Sequence, residues 1–148
     1  MKDLNGTSPE ARCALALEAR RRSYSLYSGF KVGAALLCGS GKVYTGCNIE
    51  NAAYSPTVCA ERVAFFKAVS EGESDFTAIA IAGGAGNSPD SECPPCGVCR
   101  QVMAEFCDPD TFKVYLAKSS TEYTPLFSVR NGKRWDLAAI TTLMPYDF

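Results

Sequence analysis

Apolar positions along the chain gather into short runs separated by Gly, Ser and Pro, and the runs alternate between helical and extended character. Thr7-Ser8-Pro9-Glu10 joins a capping hydroxyl, a proline suited to a first turn and an early acid, which predicts a helix over 9–24. Gly29 breaks it. β-rich runs at 31–38 and 42–50 flank Gly39-Ser40-Gly41, the composition of a hairpin turn. Pro56 and Thr57 open a second helix over 58–70 that ends near Gly72. Residues 77–82 form a short apolar run that fits a strand covered on both faces. The segment 83–95, rich in Gly, Ser and Pro, reads as loop. A third helix over 96–107 follows, then a strand over 112–117, a weaker strand over 124–128 and a short helix over 136–142. The order α-β-β-α-β-α-β-β predicts an α/β fold, one mixed sheet with helices on both sides.

At 148 residues the chain reads as a single domain, 1–148, long enough to bury a core. Its 15 basic and 16 acidic residues leave a net charge of -1, which argues against nucleic acid as a partner. No run approaches the ~20 apolar residues of a membrane span, and the first residues carry no signal-peptide core. The expected location is therefore the cytoplasm, with no membrane partner. Eight cysteines in that setting read as reduced thiols and metal ligands, not as a disulfide framework. The chain has no His. That excludes a His-containing metal site, a Ser-His-Asp triad and a Cys-His nucleophile pair, so acid–base work falls to carboxylates, Lys, Tyr or Cys.

Two segments carry the chemistry: Cys59-Ala60-Glu61-Arg62 and Pro95-Cys96-Gly97-Val98-Cys99. Three thiols suit a zinc site that keeps one position open, as catalytic zinc sites do, and Glu61 is placed to carry protons for a water there. Cys59 and Glu61 would diverge by roughly 200° on the side of a helix. At a helix's first turn both can address a metal lying off its N-terminal end, where exposed N–H groups and the macrodipole favour thiolate. Cys96 and Cys99 meet the same condition at the next helix start. Cys13, Cys38, Cys47 and Cys107 read as small buried hydrophobes. Cys93-Pro94-Pro95-Cys96 is itself a C-x-x-C, so a closed Cys₄ site in a zinc-stabilised interaction domain stands as an alternative. Arg20-Arg21-Arg22 reads as a solvated helix end, and Gly39-Ser40-Gly41-Lys42 as a turn, since it lacks phosphate-loop spacing.

A first ligand, a Glu two residues on and then Pro-Cys-x-x-Cys is the signature of the zinc deaminases. With Phe30-Lys31-Val32-Gly33-Ala34-Ala35 and Gly46-Cys47-Asn48-Ile49-Glu50-Asn51-Ala52-Ala53-Tyr54, the chain resembles the small, homotetrameric cytidine deaminases over nearly its whole length. The resemblance implies a three-layer α-β-α sandwich around a mixed five-stranded sheet. It implies hydrolytic deamination of cytidine and 2′-deoxycytidine, with one zinc per subunit held by Cys59, Cys96 and Cys99 and with Glu61 as proton shuttle. Phe30 would line the pyrimidine pocket, Asn48 and Glu50 would hold the ribose, and the N–H of Ala60 would touch the base carbonyl. Ala52 would join the substrate-binding residues. Arg62 would hydrogen-bond the zinc thiolates, and Tyr54 and Phe148 would reach a neighbouring subunit's site. Cys93 has no counterpart role in that family. Plainer readings make Asn48 and Glu50 a solvated strand edge, Phe30 core and Arg62 surface. Within the same superfamily, a blasticidin-type aminopyrimidine deaminase shares the zinc motifs and differs in the 48–54 segment.

Overall fold

The computed structural model describes residues 8–89, 92–108 and 110–127. The predicted helix over 136–142 and the terminal Phe148 lie outside the described residues. The elements run α1 (Pro9–Arg20), β1 (Phe30–Cys38), β2 (Val43–Cys47), α2 (Ala60–Ser70), β3 (Phe76–Ala85), α3 (Gly97–Phe106), β4 (Lys113–Ala117) and β5 (Tyr123–Phe127). The five strands form one sheet in the order β2-β1-β3-β4-β5, antiparallel except for the β3–β4 pair. The mixed sheet between helices is thus the fold class expected. Among the described residues β5 is an edge strand, the place in a sheet where a residue without a backbone N–H such as Pro125 is tolerated.

Strand alternation sorts the core into two layers. Val32, Leu36, Ile79, Ile81, Val114 and Leu116 face Ala64, Phe65 and Met103 of α2 and α3. Ala35, Ala78, Ala80, Ala82 and Ala117 face Cys13 and Ala16 of α1. The α1 side is lined by small residues, so that helix sits close. A Cβ on Gly33 would stand 2.0 Å from the Ala16 carbonyl oxygen and 2.5 Å from the Arg20 nitrogen. Gly33→Ala is therefore expected to cost about 1–3 kcal/mol of stability through overpacking. A lowered denaturation midpoint would register it, and an unchanged midpoint would show that α1 can slide away at no cost.

Two boundaries depart from the local signals. The first helix stops at Arg20, short of 24, because Tyr24 leaves it to exchange backbone hydrogen bonds with Asn48 and Glu50, at 3.0 Å and 2.8 Å. The β3 strand runs on to Ala85 into the segment read as loop, because Gly83, Gly84 and Ala85 pair with Val32, Lys31 and Phe30. Arg20, expected on a solvated helix end, is instead 3% exposed. Its guanidinium donates to the carbonyls of Lys31, Gly84 and Gly86 at 2.9, 2.6 and 2.9 Å, and those acceptors make burial of a cation tolerable. Among the described residues no helix is long and apolar enough to cross a membrane.

Candidate active site

Two helix starts converge beside the first residues of β1, where Val32 lines one cavity with Cys59 and Cys96. Cys59 is the N-cap of α2 and Cys96 the N-cap of α3, each in extended backbone. Capping positions normally hold a side-chain oxygen that turns back onto the helix. The thiols here turn towards each other: Cys59 Sγ lies 3.6 Å from Cys96 Sγ, which lies 3.5 Å from Cys99 Sγ. All three sulfurs fall within 4.8 Å of one another, the group among the described residues suited to a metal ion. Thiolates at ~2.3 Å from a tetrahedral zinc stand about 3.8 Å apart, so this donor set fits zinc with little movement.

The electrostatics agree with that reading. Hydrogen bonds shared with Cys59 and Cys99, with those of the Cys99 and Val98 N–H groups, hold the Cys96 thiol well below its usual range. The same sulfur–sulfur hydrogen bonds push Cys59 and Cys99 up. Arg62 Nη2 donates to Cys59 Sγ at 3.3 Å, one turn along α2, so Arg62 faces the cluster. Cys93 is outside the three-sulfur group. Burial and the nearby Glu61, Cys59 and Cys96 push its thiol up to about 12, and its Cβ and Sγ both lie 2.7 Å from the point where a Gly83 Cβ would stand. Cys93→Ser is expected to keep zinc. Loss of the metal in that variant would restore the four-thiolate alternative.

Glu61 occupies the first turn of α2 and is 4% exposed. Burial raises its pKa above the ordinary carboxylate range. It lines a cavity of 160 Å³ together with Val32, Asn48, Glu50, Cys59 and Cys96. Ala60, also on that wall, is fully buried. Phe30 opens β1 at 38% exposure, with its ring edge and Cys93 flanking Gly83.

Asn48 and Glu50 are not a solvated edge. The Asn48 side chain accepts from Val32 N–H at 2.9 Å and from the Ser23 hydroxyl, and donates to the Phe30 carbonyl at 2.8 Å. Glu50 accepts from the N–H groups of Tyr27 and Ser28 and from the Ser28 hydroxyl. A cleft of 230 Å³ adjoins this carboxylate and includes Tyr54 and Thr57. Ala52 and Tyr54 are exposed and lie outside the smaller cavity, Tyr54 at φ +58°. Reading the sequence singled out Asn48 and Glu50 but missed Ser23, Ser28 and Thr57 beside them. A hydroxyl two residues before Phe30 in sequence was the one signal available, and serine is too common in loops for it to stand out.

A five-stranded sheet carrying a three-thiol cluster and a buried carboxylate at two helix starts defines a zinc-binding hydrolase of the deaminase type. The family model described as "Cytidine and deoxycytidylate deaminase zinc-binding region" matches residues 7–115, and the chain belongs to that family. It is similar to the cytidine deaminase of Sporosarcina psychrophila, 53% identical over 127 residues that cover 83% of this chain and 88% of the relative. The cytidine deaminase of Halalkalibacterium halodurans is 55% identical over 101 residues, 68% of this chain and 73% of the relative. Among solved structures, the cytidine deaminase from Burkholderia pseudomallei superposes with a TM-score of 0.73 at 40% identity, covering 82% of this chain and 94% of that one.

Proposed function

We propose that the chain deaminates cytidine and 2′-deoxycytidine hydrolytically, releasing ammonia, as a cytoplasmic enzyme of pyrimidine salvage. The observation that carries this reading is Glu61, buried in a small cavity beside three thiols at two helix N-termini. Cys59, Cys96 and Cys99 would hold the zinc, which when bound acidifies water so that hydroxide is available near neutral pH. Glu61 takes the proton of the attacking water, passes it to ring N3 and later helps protonate the leaving amino nitrogen. Arg62 draws charge from the thiolates it touches, offsetting three negative ligands. Asn48 and Glu50 hold the ribose, Phe30 lines the base and the Ala60 N–H meets its carbonyl. Binding at the sugar then supplies orientation at the reacting carbon.

The active form is a homotetramer in this reading, with Ala52, Tyr54 and Phe148 contributing to substrate sites. Leu26 at 74% and Tyr54 at 82% exposure leave apolar surface beside the clefts that support self-association. Eight free thiols suit a reducing compartment. The test is the loss of cytidine absorbance with ammonia release, followed with and without a chelator. No turnover by the zinc-loaded protein would overturn the reading, and a zinc-stabilised binding domain would then stand in its place.

A further inference from the structure

Ser28 stands between the carboxylate assigned to the sugar and the strand end that carries Phe30. Its hydroxyl donates to Glu50 Oε2 at 2.5 Å and accepts from the Phe30 N–H at 3.0 Å. Its own N–H donates to Glu50 Oε1 at 3.1 Å, beside the Tyr27 N–H at 3.0 Å. These bonds, the Ser28 hydroxyl's first, hold the Glu50 carboxyl below its usual range. The local chain is shaped for this contact. Gly29 donates its N–H to the Ser25 carbonyl at 2.9 Å, and its φ of +70°, open to glycine without strain, turns the chain from Ser28 into β1.

We propose that Ser28 is a positioning residue that locks Glu50 and the start of β1 into one arrangement before the nucleoside arrives. The proposal rests on the ribose-binding reading of Glu50. A half-buried glutamate without such partners samples many rotamers, and the substrate would have to order it on binding. A carboxylate offers about four lone-pair sites. Tyr27 and Ser28 take two on Oε1 and one on Oε2, leaving Oε2 able to accept from a sugar hydroxyl. The same serine oxygen holds the Phe30 amide, so sugar and base recognition share one anchor. Ser28 is itself exposed. Its bonds therefore add little to stability, and positioning can be measured apart from folding.

Ser28→Ala is expected to raise KM for cytidine about tenfold, the scale of ordering one free glutamate side chain on binding. The value of kcat should stay within about twofold on the same scale, with zinc content and melting temperature unchanged. Ser28→Thr, which keeps the hydroxyl, should recover most of the affinity. On a Glu50→Ala background the same serine change should alter KM clearly less than about tenfold, leaving only the share that runs through the Phe30 amide, because coupled residues are not additive. An unchanged KM in Ser28→Ala overturns the proposal. So does a full tenfold effect in the double variant, or a fall in melting temperature that parallels the loss of activity. If Glu50→Ala itself leaves cytidine KM unaltered, the ribose reading fails first and takes this inference with it.

Discussion

Glu61→Gln is expected to lose turnover by ~10²–10⁴-fold or more, the range of a positioned acid–base group, since this carboxyl acts in more than one step. Glutamine keeps the shape of the side chain in its 4% exposed position but cannot accept or deliver a proton. Zinc content should be retained, because the three thiols are untouched. In the metal-free protein, stability should rise at neutral pH. Burial raises the folded-state pKa of Glu61, so its contribution is fully present below the unfolded carboxylate value and is lost as pH climbs through the folded one. Glutamine stays neutral across that window and avoids the penalty. Steady-state rates, metal analysis and denaturation of the stripped protein separate these effects. Near-normal kcat in a zinc-loaded Glu61→Gln enzyme would remove the mechanism.

Zinc removal is the second large effect. Stripping the metal, or Cys99→Ala at a 1% exposed position, is expected to abolish measurable turnover and lower the melting temperature. Affinity for zinc should fall as pH falls. Hydrogen bonding within the cluster holds the Cys59 and Cys99 thiols above their usual range, so both carry protons that the metal must displace. Uptake near neutrality should then displace at least about two protons, weakening binding by about a hundredfold or more for each unit of acidification. Zinc titrations in buffers of different ionisation enthalpy count those protons. A pH-independent affinity would rule out thiol ligation.

The two zinc segments were legible because their signals are local. A thiol and a carboxylate two apart, and two thiols three apart, make sense together only in the first turns of helices, and α2 and α3 begin at those residues. Element order was legible for the same reason, since capping, turns and short apolar runs act over a few residues. Misreadings fell where distant strands decide. Tyr24 left its helix for a partner beyond β2, and Gly84 and Ala85 became strand because β1 lies beside them. Arg20 is one of three adjacent arginines, alike in sequence, yet it is buried while Arg21 and Arg22 are exposed. The carbonyls that receive it come from Lys31, 11 residues on, and from Gly84 and Gly86, 64 and 66 residues on.

By itself, then, the sequence determined the residue types that can hold zinc and move protons, the absence of any histidine chemistry, and the helices and strands that present them. Tertiary structure decided which thiols meet. Three sulfurs share one point while Cys93, only three residues from Cys96, lies against Gly83 instead. It also decided that Asn48 and Glu50 would be anchored by Ser23 and Ser28, on a loop more than twenty residues earlier. The reason is one of range: capping and turn preferences act over a few residues and repeat in every chain. The meeting of two helix ends or of two loops depends on strand register and close packing, which exist only once the sheet has formed.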